Sequence, residues 1–222
     1  MTSGTPVGEL YAHERSDTSG DRNAAVGVRV LGGFVVAGLW PGDGVKGRAW
    51  LGRAALKRTT VPEAERREAI AARVKRDEWP EALLKVSAVE AETGAFTVFD
   101  RDSGVSLIDA VAASCAVPLV WPPMTVAGKR YIDGGVRSVA NVDLAAGYDR
   151  VVVIAPVTAS ARRGGKPAAQ ARAFANSVVI SPTDAALTAI GRNPLNPDRR
   201  GPAAEAGRVQ AAGEAERVRA VW

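Results

Sequence analysis

An α/β or mixed layered domain is the fold class this sequence predicts, and three observations carry it. Short β-rich segments alternate with helical ones along the chain. One of them, Val151-Val-Val-Ile-Ala155, is wholly apolar and β-branched between Asp149 and Pro156, the pattern of a strand covered on both faces in the middle of a sheet. No internal repeat is visible, so a solenoid or propeller does not compete.

In chain order, residues 4–31 mix small and polar types, and only Val7, Leu10 and Tyr11 suggest a short helical face. The apolar run Val30 to Trp40 is interrupted by Gly32, Gly33 and Gly38. It is about half the length a membrane helix needs and reads as helix or loop packing. From Val61 to Val74 a helix is predicted, with Pro62 at a first-turn position, Glu63 and Glu65 at the positive helix end, and Ile70 and Val74 as an i, i+4 pair. Leu83 to Asp100 alternates apolar and polar positions on either side of Glu90–Gly94, a β-hairpin. Ser106 followed by Asp109 reads as an N-cap arrangement for a buried helix through Ala116, which Pro118, Pro122 and Pro123 stop. Met124 to Tyr131 then reads as a second hairpin turning at Ala127-Gly128. Beyond Val151–Ala155, Thr158 to Arg172 is expected to be a mobile basic loop, Ser177 to Ile180 a second apolar strand, and Ala203 to Trp222 a terminal helix.

With 222 residues the chain is long enough for one sizeable core, and one domain is expected. Its single cysteine, Cys115, and single histidine, His13, make neither an internal disulfide nor a zinc cage, so no metal and no cofactor is expected. The N-terminal residues show no basic-then-apolar signal pattern, and a cytoplasmic location is expected. The net charge of +5 is accounted for from Val151 onward, where ten basic residues face five acidic ones. Phe174 and Trp222 are the only aromatics there, so the charge reads as solvated faces and a nucleic-acid partner is not expected.

Asp133-Gly134-Gly135 is the sharpest chemical feature. It places an acid directly after the short strand Arg130-Tyr-Ile132 and before two residues free to adopt positive φ, so a carboxylate can be presented at a sheet edge. Asp-Gly is also a common hairpin turn, and on its own the motif does not separate the two readings. Ser114 and Cys115, in an apolar small-residue helix, read as core packing; Asp109 and Asp143 read as caps, and Arg137 as a solvated side chain near the turn. Gly32-Gly33 lacks the spacing of a phosphate loop, which removes a nucleotide-binding reading.

Around that turn the sequence resembles the second half of bacterial patatin-like phospholipases. The similarity runs through Ser106-Leu-Ile-Asp-Ala-Val-Ala-Ala-Ser-Cys-Ala-Val-Pro-Leu-Val-Trp-Pro-Pro-Met124 and Lys129-Arg-Tyr-Ile-Asp-Gly-Gly-Val-Arg-Ser138. It continues through Asn141, Asp143, Leu144 to Gly147, Val178-Val-Ile-Ser-Pro182 and Asn193-Pro-Leu-Asn-Pro197, with Val61-Pro-Glu-Ala-Glu-Arg-Arg67 and Trp79-Pro80 upstream. The resemblance implies a layered α/β domain with a mostly parallel central sheet flanked by helices. It also implies hydrolysis of lipid acyl esters by a Ser-Asp dyad: a serine in a Gly-x-Ser-x-Gly elbow attacks the carbonyl and the aspartate orients and deprotonates it. A glycine-rich loop would supply backbone N–H groups to the oxyanion. Of these parts only the aspartate has a counterpart here, Asp133, followed by Gly134 and Gly135 in its turn.

No serine of this sequence has glycine two places before and two places after it, and Ser3 stands in the wrong frame. Thr2-Ser3-Gly4 aligns either with a degraded elbow or with the Ser-Gly that follows the elbow helix. The second is favoured because Ser3 to Ala12 looks like the family's next turn and helix. The first strand, oxyanion loop, nucleophile elbow and its helix, a unit of roughly 30 residues or more, are then expected to be missing from the N-terminus. The expected function is therefore patatin-like acyl hydrolysis, inactive as written for want of the serine. The alternative is a non-catalytic relative that binds lipid or protein. The expected partners are a lipid or other acyl ester and, peripherally, a membrane surface.

Overall fold

The computed structural model describes residues 6–16, 27–42, 44–162 and 164–222. In chain order the elements are α1 (Val7–Ser16), α2 (Val28–Leu39), α3 (Val45–Leu56), α4 (Glu63–Val74), β1 (Val86–Glu90) and β2 (Phe96–Phe99). Then come α5 (Leu107–Ser114), β3 (Met124–Val126), β4 (Lys129–Asp133), β5 (Arg150–Ile154) and α6 (Pro167–Ala171). The chain closes with β6 (Asn176–Ile180), α7 (Asp184–Ile190) and α8 (Arg200–Arg219). Contacts divide them into two units, residues 27–141 and residues 6–16 with 142–222.

The first unit is built on a four-stranded sheet in the order β2-β1-β4-β3, every pairing antiparallel. Successive side chains on β1 and β4 point to opposite faces, and both faces are covered. Val86 and Ala88 with Tyr131 pack against Ile70 of α4 and Ile108, Ala110, Ala112 and Ala113 of α5. Val89 with Ile132 packs against Ala55 and Leu56 of α3. Both expected hairpins form. The β3–β4 turn at Ala127-Gly128 has φ of 48° and 77°, the double left-handed geometry that suits the strand twist and that a glycine tolerates.

The Ser106 cap is present as its sequence suggests: its Oγ accepts from the Asp109 backbone N–H at 3.1 Å. The Leu107 N–H donates to the Asp77 carbonyl, and Trp79 Nε1 donates to the Val105 carbonyl at 2.8 Å, tethering the start of α5. Ser106→Ala is expected to lower stability by about 1 kcal/mol, the usual value of such a cap, read as a shift in the urea midpoint at unchanged slope.

In the second unit β5 and β6 pair in parallel, with α6 as the crossover between them. The Gln210 side chain of α8 donates to the Ser181 carbonyl at 2.7 Å and accepts from the Thr183 N–H, fixing α8 to the chain between β6 and α7. Arg208 of α8 lies over the ring of Tyr11 in α1, 4.9 Å from its centroid.

Three expectations are corrected. Among the described residues parallel pairing is confined to β5 and β6, while the larger sheet is antiparallel because hairpin turns join β1 to β2 and β3 to β4. The apolar run at Val151–Ala155 is not covered on both faces: Val151 and Val153 are buried, but Ile154 is 75% exposed. The segment expected to be loop to Arg172 contains α6, where Pro167 stands at the first helical position and is buried with Ala171. Sequence reading passed over α3, whose Gly47 and Gly52 depress helix propensity.

Candidate active site at the end of strand β4

Asp133 is the last residue of β4, paired with Ala88 of β1 and beyond the last register pair with β3. The strand is an inner one, so Asp133 lies at a strand end and not at a sheet edge. The chain does not turn back there as a hairpin would. It enters a 3-10 turn over Gly134–Val136, and the Asp133 carboxylate caps that turn by accepting from the Gly135 N–H at 2.7 Å.

Neither glycine of the motif has positive φ. What both supply is room. A Cβ on Gly134 would stand 2.3 Å from Ser87 Oγ and 2.4 Å from the Ser87 carbonyl oxygen, so the turn touches β1 through bare backbone. A Cβ on Gly135 would stand 2.9 Å from the Asp133 carboxylate oxygen.

Two further segments hold the turn. The Asp133 N–H donates to the Ala116 carbonyl at 3.0 Å, bringing the residues just after α5 against the end of β4. Asn141, at φ 45°, donates from Nδ2 to Ser87 Oγ and the Gly134 carbonyl at 3.3 Å each, and to the Ser138 carbonyl at 3.1 Å. Its Oδ1 accepts from Arg137 at 3.0 Å, and the Arg137 guanidinium lies over Phe96, 4.1 Å from the ring centroid. Arg137 is therefore a packed side chain and not a solvated one.

Burial pushes the Asp133 carboxyl from its ordinary 3.8 up to about 6, the Gly135 hydrogen bond opposing but not cancelling it. A carboxyl titrating there accepts a proton near neutral pH more readily than an ordinary aspartate, which is what a general base requires. Cys115 and Ser114 are half-buried at the end of α5. Burial pushes the Cys115 thiol up, and the charge of Asp133 adds to it against the pull of Arg66 and Arg73. The thiolate is thereby disfavoured, so Cys115 is not an activated nucleophile.

Asp109, read as a cap, instead donates its N–H to the cap and pairs its carboxylate with Arg67 at 2.6 Å. Asp143 is exposed in a 3-10 turn over Val142–Ala145. Thr2, Ser3 and Gly4, the alternative elbow, lie outside the described residues. Among the described residues no group of three or more His, Cys, Asp or Glu side chains is placed to hold a metal ion. Sequence reasoning missed Ser87 and the Ala116 carbonyl as partners of the turn. A polar residue within the otherwise apolar Val86-Ser-Ala-Val89 was the one available signal for Ser87.

Comparison with curated proteins gave no match. A family model described as patatin-like phospholipase matches residues 13–146, more than half of the chain, and that span ends shortly after the Asp-Gly-Gly turn and Asn141. The chain belongs to the patatin-like phospholipase family.

Proposed function

We propose that this chain carries the carboxylate half of a patatin-like lipid acyl hydrolase, with Asp133 as the general base of a Ser-Asp dyad, and that as written it does not turn over esters. The observation that supports the base is the Asp133 carboxyl, held by the Gly135 N–H at a strand end and tuned to about 6. The observation that supports inactivity is the sequence, in which no Gly-x-Ser-x-Gly occurs. In the reaction Asp133 would take the proton from a serine hydroxyl as the oxygen attacks the acyl carbonyl and pass it to the alcohol oxygen that leaves as the ester bond breaks; it would then take a proton from the water that attacks the acyl-enzyme and give it to the serine oxygen as the acid is released.

A general base contributes about 10²- to 10⁴-fold and a single oxyanion donor about 10²- to 10³-fold, so a carboxylate without nucleophile or donor loop falls far short of enzymatic rates. The missing elbow equally favours a second reading, a non-catalytic relative that binds lipid or protein.

The test is hydrolysis of short and long p-nitrophenyl esters and of phospholipids by the chain, by Asp133→Ala, and by a version extended with the coding sequence upstream. No Asp133-dependent turnover is expected from the 222-residue chain. Turnover only in the extended version, abolished by Asp133→Ala, supports the dyad. Asp133-dependent turnover by the chain itself overturns the proposal and points to Ser3 or Ser114. An extended version that contains an elbow yet stays inactive favours the binding reading.

A further inference from the structure

The peptide that joins Gly134 to Gly135 is gripped at both edges. Its N–H, that of Gly135, donates to Asp133 Oδ1 at 2.7 Å. Its carbonyl, that of Gly134, accepts from Asn141 Nδ2 at 3.3 Å and from the Arg137 N–H at 3.1 Å, which occupies both lone pairs. A peptide is a rigid plane with its N–H and C=O on opposite edges, so whatever fixes the carbonyl also fixes the direction in which the N–H meets the carboxylate.

Asn141 is built for that grip. At φ 45° it stands where residues with side chains are uncommon, and asparagine is among the few that tolerate it. Ser138 clasps it twice: its Oγ accepts from the Asn141 N–H and its carbonyl accepts from Nδ2, each at 3.1 Å. The Arg137 guanidinium donates to Oδ1 at 3.0 Å, which leaves the NH2 group, and not the oxygen, facing the Gly134 and Ser138 carbonyls. Nδ2 also reaches Ser87 Oγ at 3.3 Å. Because Ala88 pairs with Asp133, Ser87 is the residue of β1 that comes next toward the turn, and the amide is referenced to the sheet as well as to the turn.

Donors on the carbonyl also polarise the peptide and strengthen its N–H by about 10–30% per bond. That N–H is the influence that opposes burial at Asp133, so a side chain that steadies it holds the carboxyl lower and better aimed than burial alone would. Cys115, at the end of α5, is a titratable neighbour whose thiol feels Asp133, with Arg66 and Arg73 of α4 acting on it in turn. Burial pushes that thiol up from 9.0, so it stays neutral while Asp133 titrates.

We propose that Asn141 is a positioning residue for the Asp133 base, acting through the Gly134–Gly135 peptide to hold Oδ1 so that Oδ2 is presented to the hydroxyl of a nucleophile. This rests on the reading of Asp133 as a base and adds the residue that aims it.

The test is a carbon-13 titration of the Asp133 carboxyl, with hydrogen exchange at the Gly135 N–H, in the full chain and three variants. Asn141→Gly keeps the left-handed backbone and removes only the side chain, whereas Asn141→Ala removes it and adds backbone strain. Ser106→Ala loosens the same unit through the cap at the opposite end of α5. Asn141→Gly should raise the Asp133 midpoint by at least about half a pH unit and speed Gly135 exchange at least about tenfold. Asn141→Ala should do the same and also lower the urea midpoint. Ser106→Ala should lower the urea midpoint and leave the titration at the parent value. An Asn141→Gly chain that titrates and exchanges like the parent overturns the proposal, whatever its stability, and so does a Ser106→Ala chain that moves Asp133 as far. If neither Asn141 variant folds, the parent decides: the Asn141 side-chain amide protons should shift with the Asp133 midpoint, and amide protons that stay fixed overturn the proposal. A parent midpoint near 6 that Asn141→Gly leaves in place ends this proposal alone, while a parent midpoint at or below 3.8 ends the base reading and takes the proposal with it.

Discussion

Asp133→Asn is expected to stabilise the fold at pH 8 by up to about 3 kcal/mol and to leave it unchanged at pH 3. The folded carboxyl titrates at about 6 and the ordinary one at 3.8. Below that lower value both states are protonated and ionisation plays no part. As pH rises between the two values the unfolded chain ionises first, and stability falls. Above the upper value the folded chain carries a charge that burial disfavours, and the full penalty is present. Asparagine cannot ionise, and its Oδ1 can still accept from the Gly135 N–H, so the variant removes the penalty while keeping the 2.7 Å bond. Urea midpoints of both proteins across this range check it: the curves should diverge upward from about pH 4. A gain of this size on removing a charge is characteristic of a group retained for chemistry at the expense of stability.

Gly52→Ala should act in the opposite direction and as strongly. Intrinsic helix propensity favours alanine by about 1 kcal/mol in a helix interior. At this position, however, the new Cβ would lie 2.0 Å from the Ala91 carbonyl oxygen and 2.6 Å from its Cα. Ala91 is fully buried at the end of β1, and its N–H donates to the Arg130 carbonyl, so it cannot withdraw without disturbing β4. Arg48 and Arg53 of the same helix donate at 2.8 Å to the Gly94 and Glu92 carbonyls of the β1–β2 turn, locking α3 onto it. Overpacking against backbone should outweigh propensity and destabilise the fold by on the order of 3 kcal/mol. Gly207→Ala in α8, with open space around it, should instead show the propensity gain. Thermal and urea denaturation of the two variants would separate the effects, and a stabilised Gly52→Ala would mean that α3 is not seated on the turn.

That contrast also shows what could be read before the structure. Elements signalled by local chemistry were legible. Ser106 with Asp109 marked the start of α5, Ala127-Gly128 the β3–β4 turn, and the Asp-Gly-Gly triplet the end of β4. Elements whose logic is tertiary were not. Helix α3 was passed over, because the reason for Gly52 is Ala91, which lies far along the chain on the sheet. The run Val151–Ala155 read as an inner strand because composition reports apolarity and not the number of partners; the strands covered on both faces are β1 and β4. The candidate site divides in the same way. Asp133 stood out from its neighbours in sequence, whereas Ser87, Ala116 and Asn141 reach its turn from separate segments that only folding assembles. The glycines after Asp133 were legible as a turn, but their reason is lack of space beside Ser87 and the carboxylate and not left-handed backbone.

The measurement that bears most directly on this account is a carbon-13 titration of the Asp133 side-chain carboxyl in the folded chain, assigned against Asp133→Asn. An aspartate held ready as a base at the end of β4 should show its midpoint near 6, well above the ordinary 3.8. A midpoint at or below 3.8 would mean that Asp133 is an ordinary turn-capping carboxylate, and the Asp-Gly-Gly turn would then be structure without the chemistry assigned to it.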